Sequence, residues 1–152
     1  MNSAQSDRLL GPTGFLAPGI HDMSLEEVGK RFGSFSSTDR RPTLFKKLQQ
    51  FVEQARQARF VRFLIVNGSF ISSKADPGDV DIIVVIDPAA LDSGDLPPCQ
   101  YNVLSSRRIR KAYSFDVFVV HEGSAAYADY LSFFSRVKDY PDDSKGVVRV
   151  RL

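Results

Sequence analysis

Five consecutive β-branched residues, Ile82-Ile83-Val84-Val85-Ile86, follow directly on Asp79-Val80-Asp81. A run of this length with stiff, branched side chains fits one buried strand. Side chains in a strand alternate between faces, so Asp79 and Asp81 are expected to project from the same face with Cα atoms roughly 7 Å apart. Ionised carboxylates at the edge of a dry core are costly unless something compensates them. A divalent cation does so well, and Mg²⁺ favours one or two carboxylates completed by the phosphates of a substrate.

Upstream, Phe63-Leu64-Ile65-Val66 reads as a second strand, which ends at Asn67-Gly68-Ser69. Asn-Gly between apolar runs is a hairpin signal, with Phe70-Ile71 as the return strand. The same glycine also lets the backbone approach a phosphate, with exposed N–H groups and the Ser69 hydroxyl as donors. The carboxylate pair downstream favours the phosphate turn. Asp76-Pro77-Gly78 is a turn signal that puts Asp79 at the entrance of the strand. Lys74, in the loop between, is either a solvated lysine or one within reach of a phosphate.

The rest of the chain supplies the layers around these strands. Ser24-Leu25-Glu26-Glu27 has capping-box spacing and Gly33 suits the position after a helix, which predicts a helix over about 25–32. Leu44, Phe45, Leu48, Phe51, Val52 and Ala55 recur at helical spacing, predicting a long amphipathic helix from Pro42 to about Ala58. Residues 87–100 read as a loop. A helix over about 101–112 carries Arg107, Arg108, Arg110 and Lys111, either as a solvated face or as a contact for a triphosphate or a polyanionic acceptor. A strand over about 113–120 places Phe115, Val117 and Val119 opposite Asp116, Phe118 and Val120, which makes Asp116 the single charge in an apolar strand. Residues 125–137 read as a helix whose Tyr127, Tyr130, Leu131 and Phe134 form a core stripe, and residues 146–152 as a terminal strand with a basic outer face. Residues 1–19 are expected to form an arm or tail before a single domain over 20–152. The fold class is therefore α/β (α+β), a small mixed sheet packed with helices.

Composition excludes several functions. The chain has 152 residues, a net charge of +2 and a pI near 8.8, too mild an excess for a nucleic-acid footprint by itself. Cys99 is the only cysteine, which precludes an intrachain disulfide, and His21 and His121 stand outside any Cys/His cluster, leaving zinc unsupported. No apolar run approaches the roughly 18 residues that span a bilayer. The expectation is a soluble, cytoplasmic protein with no membrane partner.

Gly68-Ser69, a nine-residue gap and Asp79-Val80-Asp81-Ile82 together resemble the signature of the polymerase-β-like nucleotidyltransferase superfamily. Pro18-Gly19-Ile20-His21, Gly68-Ser69-Phe70-Ile71 with Lys74, Pro77-Gly78-Asp79-Val80-Asp81 and Lys145-Gly146-Val147-Val148-Arg149 look like a small uncharacterised bacterial branch of it. The resemblance implies a minimal nucleotidyltransferase fold with two Mg²⁺ (or Mn²⁺) ions on Asp79, Asp81 and Asp116. It also implies a nucleoside triphosphate such as ATP held by Gly68, Ser69 and Lys74. Attack at the α-phosphorus would release pyrophosphate, with Asp116 helping to deprotonate a hydroxyl acceptor. That acceptor is open among a protein side chain, a tRNA end, a small molecule and another nucleotide. The alternative is a nucleotidyltransferase-like domain that binds an operon-encoded protein partner, as in toxin–antitoxin or defence systems. A haloacid-dehalogenase-type phosphatase also uses Asp-x-Asp, but after its strand, whereas here the pair precedes it.

Overall fold

The computed structural model describes residues 14–34, 38–89, 104–137 and 140–152. The β-branched run becomes β3 (Asp81–Ile86), an inner strand of a five-stranded mixed sheet. β1 (Ile20–Asp22), β2 (Val61–Asn67), β4 (Asp116–His121) and β7 (Val147–Arg151) complete it in the order β1-β7-β2-β3-β4. β3 runs antiparallel to β2 and parallel to β4, and β1 runs parallel to β7. This is the mixed α/β architecture expected from the sequence.

Helices cover both faces. On one side α1 (Leu25–Phe32), α2 (Arg40–Ala58) and α3 (Ser106–Tyr113) pack on Leu64, Val66, Ile82, Val84, Ile86, Val117, Val148 and Val150. On the other, α4 (Ala125–Phe134) packs on Phe63, Ile65, Ile83, Val85 and Val120. The period-two alternation of the strands thus feeds two cores, which is why β3 is apolar on consecutive residues. In α1, Ser24 Oγ accepts from Glu27 N at 3.1 Å, acidic residues fill the first turn and basic ones the last, all favourable to the helix dipole. α2 begins at Arg40, so Pro42 falls in the first turn, where a missing N–H leaves no hydrogen bond unmade. Tyr127, Tyr130, Leu131 and Phe134 do form the core-facing stripe of α4, with the Tyr130 ring stacked 4.8 Å from that of Phe118.

Several boundaries depart from expectation for identifiable reasons. The hairpin alternative, with a return strand at Phe70-Ile71, is not the one formed; both side chains are buried inside an irregular loop over 68–80. β4 starts at Asp116 because Tyr113 still belongs to α3, which ends at Ser114 in a left-handed conformation (φ 63°). α4 stops at Phe134, since Arg136–Val137 form β5 and pair with β6 (Tyr140–Ser144) as a separate ribbon. The basic face of β7 is partly neutralised. Arg149 donates to both carboxylate oxygens of Asp22 at 2.6 and 2.8 Å, which holds that carboxyl below its ordinary range. The described part of the N-terminal arm packs on the domain, with Leu16 buried and its carbonyl accepting from Gly146 N at 2.9 Å. Cys99, the start of the helix expected from residue 101 and most of the 87–100 loop lie outside the described residues. Among the described residues, no helix is long and apolar enough to cross a membrane.

Candidate active site

Register gathers three polar side chains at one end of the sheet. Asn67 on β2 lies opposite Asp81 on β3, which lies opposite Asp116 on β4. Two residues further along each strand stand Ile65, Ile83 and Phe118, all on the α4 face, so the polar row shares that face. Asn67, 3% exposed, donates from Nδ2 to Phe134 O at 2.7 Å and fastens the end of β2 to the end of α4; its Oδ1 is buried without a partner among the described residues.

The loop over 68–80 folds back across this end. Gly68 has φ +90°, and a Cβ there would lie 2.8 Å from the Asp79 carbonyl oxygen and 3.1 Å from Asp81 N. Glycine is required both for the positive φ and for the approach of two backbones. Ser69 then closes the loop on itself. Its backbone N–H donates to Asp79 Oδ1 at 2.9 Å, its hydroxyl also bonds that oxygen, and the same hydroxyl accepts from Gly78 N at 3.0 Å and Asp79 N at 3.2 Å. A hydroxyl has one proton and two lone pairs, so these contacts occupy it fully. Ser69 therefore orients Asp79. These contacts also hold Asp79 out of the strand: β3 begins at Asp81, which corrects the expectation that both aspartates share one regular strand face.

Two arginines at the start of α2 support the loop from beneath. The buried Arg41 guanidinium donates to the carbonyls of Phe32, Phe70, Ser72 and Lys74 at 3.0, 2.8, 2.7 and 2.6 Å. Burial pulls its pKa down to about 10, which leaves it cationic at neutral pH. Arg40 holds the far end of the loop, donating to Pro77 O at 2.9 Å and Gly78 O at 3.1 Å. Sequence reasoning missed both. Paired arginines before a proline at a helix start carry no signal of a distant loop.

A cavity of about 740 Å³ opens between the loop and the α4 end of the sheet. Asp79, Asp81, Gly68, Ser69 and Lys74 line it, together with Phe15, Phe133, Arg136 and Lys145. Five of the six residues singled out in the sequence thus meet in one place. Asp116 sits one strand away in a neighbouring cleft, its carboxylate ion-paired with Arg110 of α3. Among the described residues, no three His, Cys, Asp or Glu side chains are gathered as a metal-holding group, so the cavity offers two carboxylates, Asp79 and Asp81. Burial, then the charges of Asp79 and Asp116, push the Asp81 carboxyl up to about 6, against an opposing effect of Lys145. Lys145 is itself pulled below the ordinary lysine range by burial, opposed by Asp81 and Asp79. Its place in the site was not foreseen, because a lysine before Gly-Val-Val reads as an ordinary strand entrance.

Residues 10–151 match DUF6932, a family of unknown function. The chain belongs to this family. No curated protein and no solved structure matches it. The region matched to DUF6932 contains the Gly68 loop, all three aspartates, both loop-holding arginines and Lys145.

The geometry at Gly68 makes a direct prediction. Gly68→Ala is expected to destabilise the fold by about 2–3 kcal/mol, from left-handed strain and the contact with the Asp79 carbonyl. Urea denaturation measures it, and an unchanged midpoint would show that the loop does not need this approach.

Proposed function

We propose that the protein is a Mg²⁺-dependent nucleotidyltransferase that moves a nucleoside monophosphate from a triphosphate, with ATP the first candidate, to a hydroxyl acceptor. The observation that carries this reading is the pair of acids on the wall of the cavity. Asp79 and Asp81 face one space, and Asp81 is held near half-protonation at mildly acidic pH by burial and by two neighbouring carboxylates. Such a site is poorly compensated by protein alone and suits a cation that brings its own phosphate ligands.

The donors fit Mg²⁺ or Mn²⁺ in kind, oxygen ligands only, with Asp79 and Asp81 as the residues that would hold it and Asp116 available to join once released from Arg110. When bound, such an ion, or a pair of them as the superfamily resemblance implies, neutralises charge that develops on the phosphates. The chain's own groups do the rest. The Ser69 N–H and hydroxyl fix the Asp79 carboxylate, and Arg41 fixes the backbone of Lys74, whose side chain lines the cavity. The acceptor oxygen attacks the α-phosphorus, the bond to the β-phosphate oxygen breaks, and pyrophosphate leaves. The acceptor proton passes to a carboxylate, for which Asp116, on the neighbouring strand, is the candidate.

A second reading has one observation in its favour. The Asp116 carboxylate is engaged by Arg110, as befits a nucleotidyltransferase-like domain that chiefly binds a protein partner, such as one encoded in the same operon. Calorimetry separates the two. ATP is expected to bind in Mg²⁺ and not in EDTA; equal affinity in both, or no binding in either, would favour the partner-binding reading.

A further inference from the structure

Lys145 lines the same cavity as the two aspartates, yet among the described residues it forms no ion pair and its ammonium takes part in no hydrogen bond. Its one close partner is the Phe15 ring, 5.3 Å from Nζ to the centroid. A half-buried ammonium loses much of its hydration, and a cation–π contact recovers only part of that loss. Asp79 and Asp81 are near enough to act on it through their fields but do not touch it. A cation and two anions therefore share one cavity without closing into an ion pair. A lysine meant only to neutralise the aspartates would form that pair.

The position is held firmly. Lys145 N donates to Ser135 O at 2.9 Å, and the next residue, Gly146, donates to Leu16 O at 2.9 Å. A Cβ on Gly146 would lie 2.1 Å from the Ala17 carbonyl and within 3 Å of the His21 ring, whose Nε2 is itself 2.7 Å from that carbonyl. The backbone that presents Lys145 is thus clamped between the N-terminal arm and the β5 ribbon. Lys74 and Arg136, the other cations on the cavity wall, are exposed.

We infer that Lys145 is the phosphate-binding residue of this cavity, gripping the polyphosphate tail of a ligand whose cation is held by Asp79 and Asp81. The inference rests on the triphosphate reading above and deepens it by assigning the wall that holds the phosphates.

Inorganic tripolyphosphate is the probe, titrated into the full chain with Mn²⁺, while Mn²⁺ alone is followed by electron paramagnetic resonance. Lys145→Gln is expected to weaken tripolyphosphate binding by about 10- to 100-fold, the loss of one charge-assisted contact. Binding of Mn²⁺ alone should be unchanged or tighter, because a positive charge beside the carboxylates is gone. Lys145→Arg should recover much of the loss. Lys145→Met, which keeps the stem against Phe15, serves if the glutamine variant melts lower than the wild type. Wild-type affinity for tripolyphosphate in both neutral variants would overturn the inference alone. So would a parallel fall in Mn²⁺ binding, which would make Lys145 a support for the fold. A wild-type protein that binds neither Mn²⁺ nor tripolyphosphate would overturn the nucleotidyltransferase reading together with it.

Discussion

Asp81→Asn is expected to abolish Mg²⁺-dependent ATP binding, by about 100-fold or more, while producing a protein that melts higher than the wild type when metal is removed at neutral pH. The two effects share a cause. In the folded state the Asp81 carboxyl is raised from 3.8 to about 6, so the fold binds a proton that the unfolded chain has already released. Its stability is then fully present below about pH 4 and declines as pH rises through about 6. The carboxyl is only partly buried and solvent screens it, so the cost at neutral pH is about 1 kcal/mol. Asparagine imitates the protonated form at every pH. The variant should therefore match the wild type at about pH 4 and exceed it at about pH 7.5 in EDTA, and it should gain nothing from Mg²⁺. Melting curves in the four conditions decide the matter. A variant that melts lower in EDTA and keeps the full Mg²⁺ increment would make Asp81 a structural residue and remove the central ligand of the proposed site.

Arg41→Met should have the largest effect on the fold. The side chain it replaces satisfies four carbonyls, three of them in the loop that carries the site. Methionine fills similar space but donates nothing, and each buried carbonyl left without a donor costs about 1–3 kcal/mol. Some of the four can turn to water as the loop loosens, so the net destabilisation is expected to be about 4 kcal/mol, a large share of the stability of a small domain. Should the variant fold, the loop over 70–74 should show increased amide hydrogen exchange and tripolyphosphate binding should fall, although Arg41 does not line the cavity. A loss smaller than about 1 kcal/mol would show that the loop holds itself together through Ser69 and its neighbours.

The amphipathic helices, the apolar strands and the pairing of Gly68-Ser69 with Asp79 and Asp81 were legible in the sequence because each is a local pattern. Periodicity fixes which face of α2 is buried, and a β-branched run between two turns has few ways to be anything but an inner strand. What was not legible depends on contacts between distant segments. Ser69 read as a phosphate donor, and nothing in the spacing reveals that its hydroxyl also bonds Asp79, ten residues later. Asp116 stood out as the one charge in an apolar strand, which alone suits a hydrogen-bonded structural aspartate, and only the resemblance made it a ligand; its ion pair with Arg110 depends on how α3 ends. Arg41 and Lys145 gave no warning, since a buried arginine and a half-buried lysine read as surface charges until the elements around them are assembled.

The pairing of β1 with β7 joins residues 127 positions apart, Ile20 with Val147 and Asp22 with Arg149. During synthesis the arm emerges before the strands of the sheet, and its partner strand β7 only after nearly all of them. Phe15 and Lys145, which meet in the cavity, arrive at opposite ends of that interval. A nascent chain can build the carboxylate side of the site early, but its cationic side is completed only when the last strand slots between β1 and β2. A chain cut short before Lys145 would lose the arm's docking strand and part of the cavity lining together, which makes assembly of this site a report on whether β7 has been made.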